Sequence, residues 1–80
     1  MTVQRLVYMA NQIATFFVSE APDTAAAATA DHIRKFWDPR MRRQILDHLA
    51  AGRGEGLKPV ALAAIQILAA GDPVAKAAAG

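Results

Sequence analysis

Proline and glycine break this chain at three places, and between the breaks apolar residues recur three and four positions apart. No other feature narrows the fold so far, because that spacing lays one apolar stripe along a helix and does not fit the alternation of a strand. From Val3 to Glu20 the stripe is Val3, Leu6, Val7, Ala10, Ile13, Ala14 and Phe17, with Thr2 placed to cap it. Met9 and Phe16 lie on a flank of that stripe and Tyr8 further round, so the apolar surface is wider than one neighbour in a small bundle would cover. "EAPDT" interrupts the pattern at Pro22, and Asp23 or Thr24 then caps a second helix over 24–37, whose inward face is Ala26, Ala30, Ile33 and either Phe36 or Trp37.

At "WDP", Pro39 disfavours helical geometry at Asp38 while its own fixed backbone angle suits the first position of a new helix. Asp38 therefore reads as the N-cap of a third helix over 39–51, striped by Met41, Ile45, Leu46 and Leu49. Gly52 supplies the stop, and the glycines at 52, 54 and 56 read as a flexible loop. That loop lacks the Lys-Ser/Thr of a phosphate-binding P-loop and any preceding strand. Pro59 opens a fourth helix over 59–70, ended by Gly71, and only Gln66 interrupts its apolar surface. A helix apolar nearly all round is buried on several sides, which in a small chain points to a partner or to self-association. The expected architecture is all-α: a small bundle of about four helices forming a single domain over 1–71, followed by an Ala-rich tail over 72–80 that extends as a short helix or frays.

Composition excludes several function classes. At 80 residues the core is only marginally stabilising, and with no Cys the chain has no disulfide to reinforce it. Two His, no thiol and no clustered acids do not assemble a four-ligand zinc site. "MTVQRLVYMANQ" lacks the uninterrupted apolar core of a secretory leader, and the run from Pro59 to Ala70 is far shorter than the roughly 20 residues of a spanning helix. A cytoplasmic chain without a membrane role is the expectation. Catalysis is not expected either: Asp31 and His32 are neighbours that a helix turns about 100 degrees apart, and nothing marks a nucleophile for His32 or His48 to activate.

The charge pattern is more informative. Between Arg34 and Arg43 five cations face one acid, Asp38, whereas the rest of the chain has four cations against six acids. Arg40, Arg42 and Arg43 sit in or beside the first turn of the third helix, where the macrodipole disfavours cations by a fraction of a kcal/mol. One reading is an ordinary solvated face, since exposed charges cost little. The sharper reading is that guanidinium groups and free helix N–H groups converge on an anion, either a partner's carboxylates or a phosphate. Arg beside Trp37 and Phe36 matches the residue types enriched at binding hot spots, although aromatic rings at a helix junction also serve as core plugs.

"RLVYMANQIATFF" at 5–17, "ADHIRKFWDPRMRRQILDHL" at 30–49 and "GLKPVALAAIQIL" at 56–68 resemble the delta subunit of the molybdenum-containing, soluble NAD-dependent formate dehydrogenase of bacteria. The stretches from Met9 to Ala14 and from Phe36 to Arg42 carry the resemblance most specifically, while the acidic-to-glycine loop and the Ala-rich tail match nothing in particular. The resemblance implies an accessory subunit that supports assembly, cofactor loading or stability and has no catalytic, cofactor-binding or metal-binding residue of its own. It places bis-molybdopterin guanine dinucleotide and iron–sulfur clusters on the alpha subunit, and FMN, further clusters and NAD reduction on the beta and gamma subunits.

Together these readings predict docking on the alpha subunit, with beta and gamma as further partners, through Phe36, Trp37, Asp38, Arg40, Arg42 and Arg43 and through Met9 and Phe16 on the first helix. Trp37 would be the anchor, Asp38 and Pro39 would fix the junction, and the three arginines would pair with acidic groups. A narrower version has the junction touch the cofactor's pyrophosphate during insertion. The alternatives are a helical nucleic-acid-binding protein that uses the basic third helix, disfavoured by the low net charge of +2, and a plain helical homodimer.

Overall fold

Three of the four prolines open helices. The computed structural model describes residues 2–71 and places in them α1 (Val3–Phe16), α2 (Pro22–Phe36), α3 (Pro39–Gly52) and α4 (Pro59–Gly71). Among the described residues there is no strand, so the all-α expectation holds. The expected tail over 72–80 lies outside the described residues.

The boundaries differ from the expected ones at both ends of the first connection. α1 stops at Phe16 rather than near Glu20, because Phe17, Val18 and Glu20 turn back onto Ala14, Thr15 and Phe17 through bonds of 3.0–3.2 Å that span three residues. α2 starts at Pro22, two residues before the expected position, and neither Asp23 nor Thr24 caps it. Its N-cap is Ala21, which makes no side-chain bond, while Asp23 lies within the first turn, where the helix dipole favours an acid. Thr2 and Asp38 cap α1 and α3 as expected, accepting from Arg5 N at 3.2 Å and Met41 N at 2.9 Å.

All four helices contribute to one core: Leu6, Ala10 and Ala14 of α1, Ile33 of α2, Ile45 and Leu46 of α3, and Ala61, Ile65 and Leu68 of α4. α2 and α4 make the most extensive contact, and α1 and α3 also pack on α4. Small side chains permit this: Ala25, Ala26, Thr29 and Ala30 are all buried on α2, as are Ala61 and Ala64 on α4. The Thr29 hydroxyl satisfies itself by donating to the Ala25 carbonyl at 2.7 Å. Three helices of the same chain thus cover the apolar sides of α4, and its exposed large residue is Ile67. The apolar character of this helix therefore does not by itself require a partner.

The glycine segment is not the loose loop that its composition predicts. Gly52 ends α3 in helical geometry, and the left-handed position belongs to Arg53, with φ of 59°. Gly54, at φ of 74°, is buried, and a Cβ there would lie 2.9 Å from Leu62, 3.0 Å from Leu57 and 3.3 Å from Leu49. The turn is also tied from outside. Asn11 of α1 donates to the Gly56 carbonyl at 3.0 Å and accepts from Lys58 N at 2.9 Å, and His48 Nε2 lies 2.7 Å from the Glu55 carbonyl. Gly54→Ala is expected to destabilise the protein by about 2 kcal/mol in urea unfolding, because leucine tips can yield but the backbone strain remains.

Candidate functional site

The junction between α2 and α3 divides its residues between inside and outside. Trp37, the C-cap of α2, is 4% exposed and belongs to the core. It fills the plug role rather than the anchor role, since a partner cannot grip a ring the fold already encloses. Phe36 turns the other way, at 71% exposed, and stacks on His32 with ring centroids 4.6 Å apart.

The basic cluster is likewise split. Arg42, expected to meet a partner's acids, folds back instead: its Nη1 donates to the Trp37 carbonyl at 2.7 Å and to the Arg34 carbonyl at 3.4 Å. One is a last-turn carbonyl of α2 and the other its C-cap carbonyl, where a cation meets the negative end of the dipole. The charge that looks misplaced at the start of α3 is therefore well placed at the end of α2. Lys35 is paired with Asp31 one turn back at 2.9 Å, an exposed pair worth about 0.3–0.5 kcal/mol. Arg40 and Arg43 remain exposed and line a shallow depression with Asp38 and Pro39. Because Arg42 has left the row, the arginines do not form a continuous basic stripe along α3. Arg42→Met, which keeps the apolar stem, is expected to cost about 1–2 kcal/mol, readable in thermal unfolding.

A second feature lies beside the junction. Tyr8, Phe16 and Phe36 are 56%, 83% and 71% exposed, and they border two neighbouring grooves. One is lined by Gln12, Ile13, Phe16, Phe17 and His32. The other shares Gln12, Ile13 and His32 and runs on to Tyr8, Met9, Phe36 and Met41, with buried Trp37 also in its lining. The shared residues make them one continuous apolar trough between α1 and the second half of α2. Met9, Phe16 and Phe36 thus come together on one face, whereas Arg40 and Arg43 line a separate depression that shares no residue with it.

Ile13, half-buried on the inner stripe of α1, also lines the trough, and so does Gln12. Gln12 is held in place by a hydrogen bond from its amide to the Tyr8 hydroxyl one turn earlier. The i,i+4 spacing of Tyr8 and Gln12 is the signal that could have revealed this pair. Among the described residues no group of three or more His, Cys, Asp or Glu is placed to hold a metal ion, and no helix is long and apolar enough to cross a membrane.

The described residues thus form a small four-helix bundle with a closed core and an apolar trough exposed on one face. Residues 5–65 match the family model of the NADH-dependent formate dehydrogenase delta subunit, FdsD, and the chain belongs to that family. Membership implies association with other formate dehydrogenase subunits. Comparison with curated proteins and with solved structures gave no match.

Proposed function

We propose that this chain is a non-catalytic accessory subunit that docks on formate dehydrogenase and supports its assembly, cofactor loading or stability. The observation that carries the reading is the exposed face of Tyr8, Phe16 and Phe36, large rings left outside a core that is complete without them. Exposed aromatic residues are enriched at the energetic centre of protein interfaces. The alpha subunit is the expected main partner, with beta and gamma subunits as neighbours. Bis-molybdopterin guanine dinucleotide, iron–sulfur clusters and FMN belong to those chains in this reading.

Co-expression of the tagged chain with the alpha, beta and gamma subunits tests it directly. The tagged protein is expected to recover dehydrogenase subunits, and holoenzyme activity is expected to fall when the chain is omitted. Arg40→Glu combined with Arg43→Glu is expected to reduce recovery roughly tenfold, an effect that shrinks with added salt, as rim charges do. If the unaltered chain recovers no dehydrogenase subunit and its omission leaves activity unchanged, the proposal fails.

A further inference from the structure

We infer that the free chain pairs with a second copy of itself, the two α1 helices lying antiparallel about a two-fold axis at Gln12, with Phe16 of each copy entering the other's trough beside Tyr8 and Phe36. The inference goes beyond the docking reading and does not depend on it.

Helix geometry supplies the surface. Arg5, Tyr8, Gln12 and Phe16 recur at three- and four-residue intervals, which confines them to about 80 degrees of the circumference of α1, and all four are exposed. Their arrangement about Gln12 is symmetric. Tyr8 lies four residues before it and Phe16 four residues after it, each roughly 6 Å away along the helix. A two-fold rotation about a line through Gln12 therefore sets Phe16 of one copy across from Tyr8 of the other, and does so twice, as an isologous contact requires.

Shape agrees with that register. Among the described residues Phe16 is the most exposed large apolar side chain, at 83%. The end of the trough that holds Tyr8 is also lined by Met9, Phe36 and Met41, with no acid, Lys or Arg. Each copy thus offers one projecting ring and one apolar recess, at equal distances on either side of the axis.

Charge then selects the partner. Arg5 stands seven residues before Gln12, and Glu20 stands eight after it, just past the end of α1. Neither has an ion-pair partner among the described residues, and Arg5 sits in the first turn, where the helix dipole disfavours a cation. The antiparallel register brings Arg5 of each copy to the Glu20 end of the other and sets the positive end of each dipole beside the negative end of its neighbour. A parallel pair would oppose Arg5 to Arg5. The contact is small, so the affinity falls in the micromolar range. Pairing occupies the rings that docking uses, so a dehydrogenase subunit and a second copy compete for this face.

Sedimentation equilibrium of the full chain alone, from micromolar to millimolar concentration, tests the pairing. A monomer–dimer equilibrium is expected. Arg5→Glu and Glu20→Arg should each weaken it roughly tenfold, since each opposes like charges at two symmetric contacts, and the two changes combined in one chain should restore it to within about threefold. Arg5→Glu does not act by unfolding α1, because with Thr2 as N-cap it completes a Thr-x-x-Glu capping box. Phe16→Ala should weaken pairing roughly a hundredfold. The chain has no Cys, so Gln12→Cys gives a geometric check: lying at the axis, it should join two copies by a disulfide on mild oxidation, whereas Ala51→Cys, exposed on α3, should do so far more slowly. A chain that is monomeric throughout the range overturns the inference. So does a dimer that the charge reversals leave unchanged, that the combined change fails to restore, or that links as readily through position 51 as through position 12. Recovery of dehydrogenase subunits, which tests docking, is independent of each of these results.

Discussion

Replacing Phe16 and Phe36 together by Ala should lower recovery of the dehydrogenase subunits roughly a hundredfold or more while leaving the chain folded. Both rings are mostly in water, at 83% and 71% exposed, so their removal opens no cavity. The structural loss is confined to the edge-on contact with Phe17, centroids 5.5 Å apart, and the stack on His32, together about 1 kcal/mol. Association stands to lose far more. Truncating aromatic residues at the centre of an interface costs about 2–4 kcal/mol each, and 3 kcal/mol in total already corresponds to a factor above a hundred. The measurement is paired: thermal unfolding of the purified double variant, and its pull-down against the unaltered chain. Unchanged recovery at unchanged stability would remove this face from the interface.

Trp37→Ala should do the reverse, abolishing cooperative folding before any question of binding arises. The side chain is 4% exposed and shares the core with residues of all four helices. Removing a buried Trp costs about 3–5 kcal/mol, and a domain of this size has about 4–12 kcal/mol of total stability. At the lower end of that range, where an 80-residue chain without a disulfide is expected to lie, little or nothing remains. Because Trp37 is the sole Trp, its fluorescence disappears with it, and the loss is best followed by far-ultraviolet circular dichroism on heating. A variant that melts cooperatively near the temperature of the parent would show that the ring is not what closes this end of the core.

These opposite outcomes for adjacent rings mark where sequence reasoning stops. Periodicity located four helices and the inward stripes of α1 and α3, because core burial imposes the spacing directly. It left Phe36 and Trp37 interchangeable, since one residue at a helix end turns a side chain by about 100 degrees and the sequence does not say where the last turn unwinds. The early start of α2 was legible in principle. The logic that makes Pro39 the first residue of α3 applies equally to Pro22, and the polar pair after Pro22 drew the boundary too far along. Arg42 was not legible at all. Its acceptors lie five and eight residues back, across a break between helices, so only the angle between α2 and α3 shows that an apparent electrostatic conflict is a cap. On the glycine turn, composition predicted mobility, whereas Gly54 is there to let three leucines close over the backbone.

Asn11 ties two distant parts of the chain together. Its amide joins α1 to residues 45 and 47 positions further on, immediately ahead of α4. Tyr8 and Gln12, its near neighbours on the same helix, face the trough. A load applied to α1 from outside is therefore passed through two hydrogen bonds to the root of α4, so the first helix resists being peeled away alone. A grip on that single rod holds the whole body.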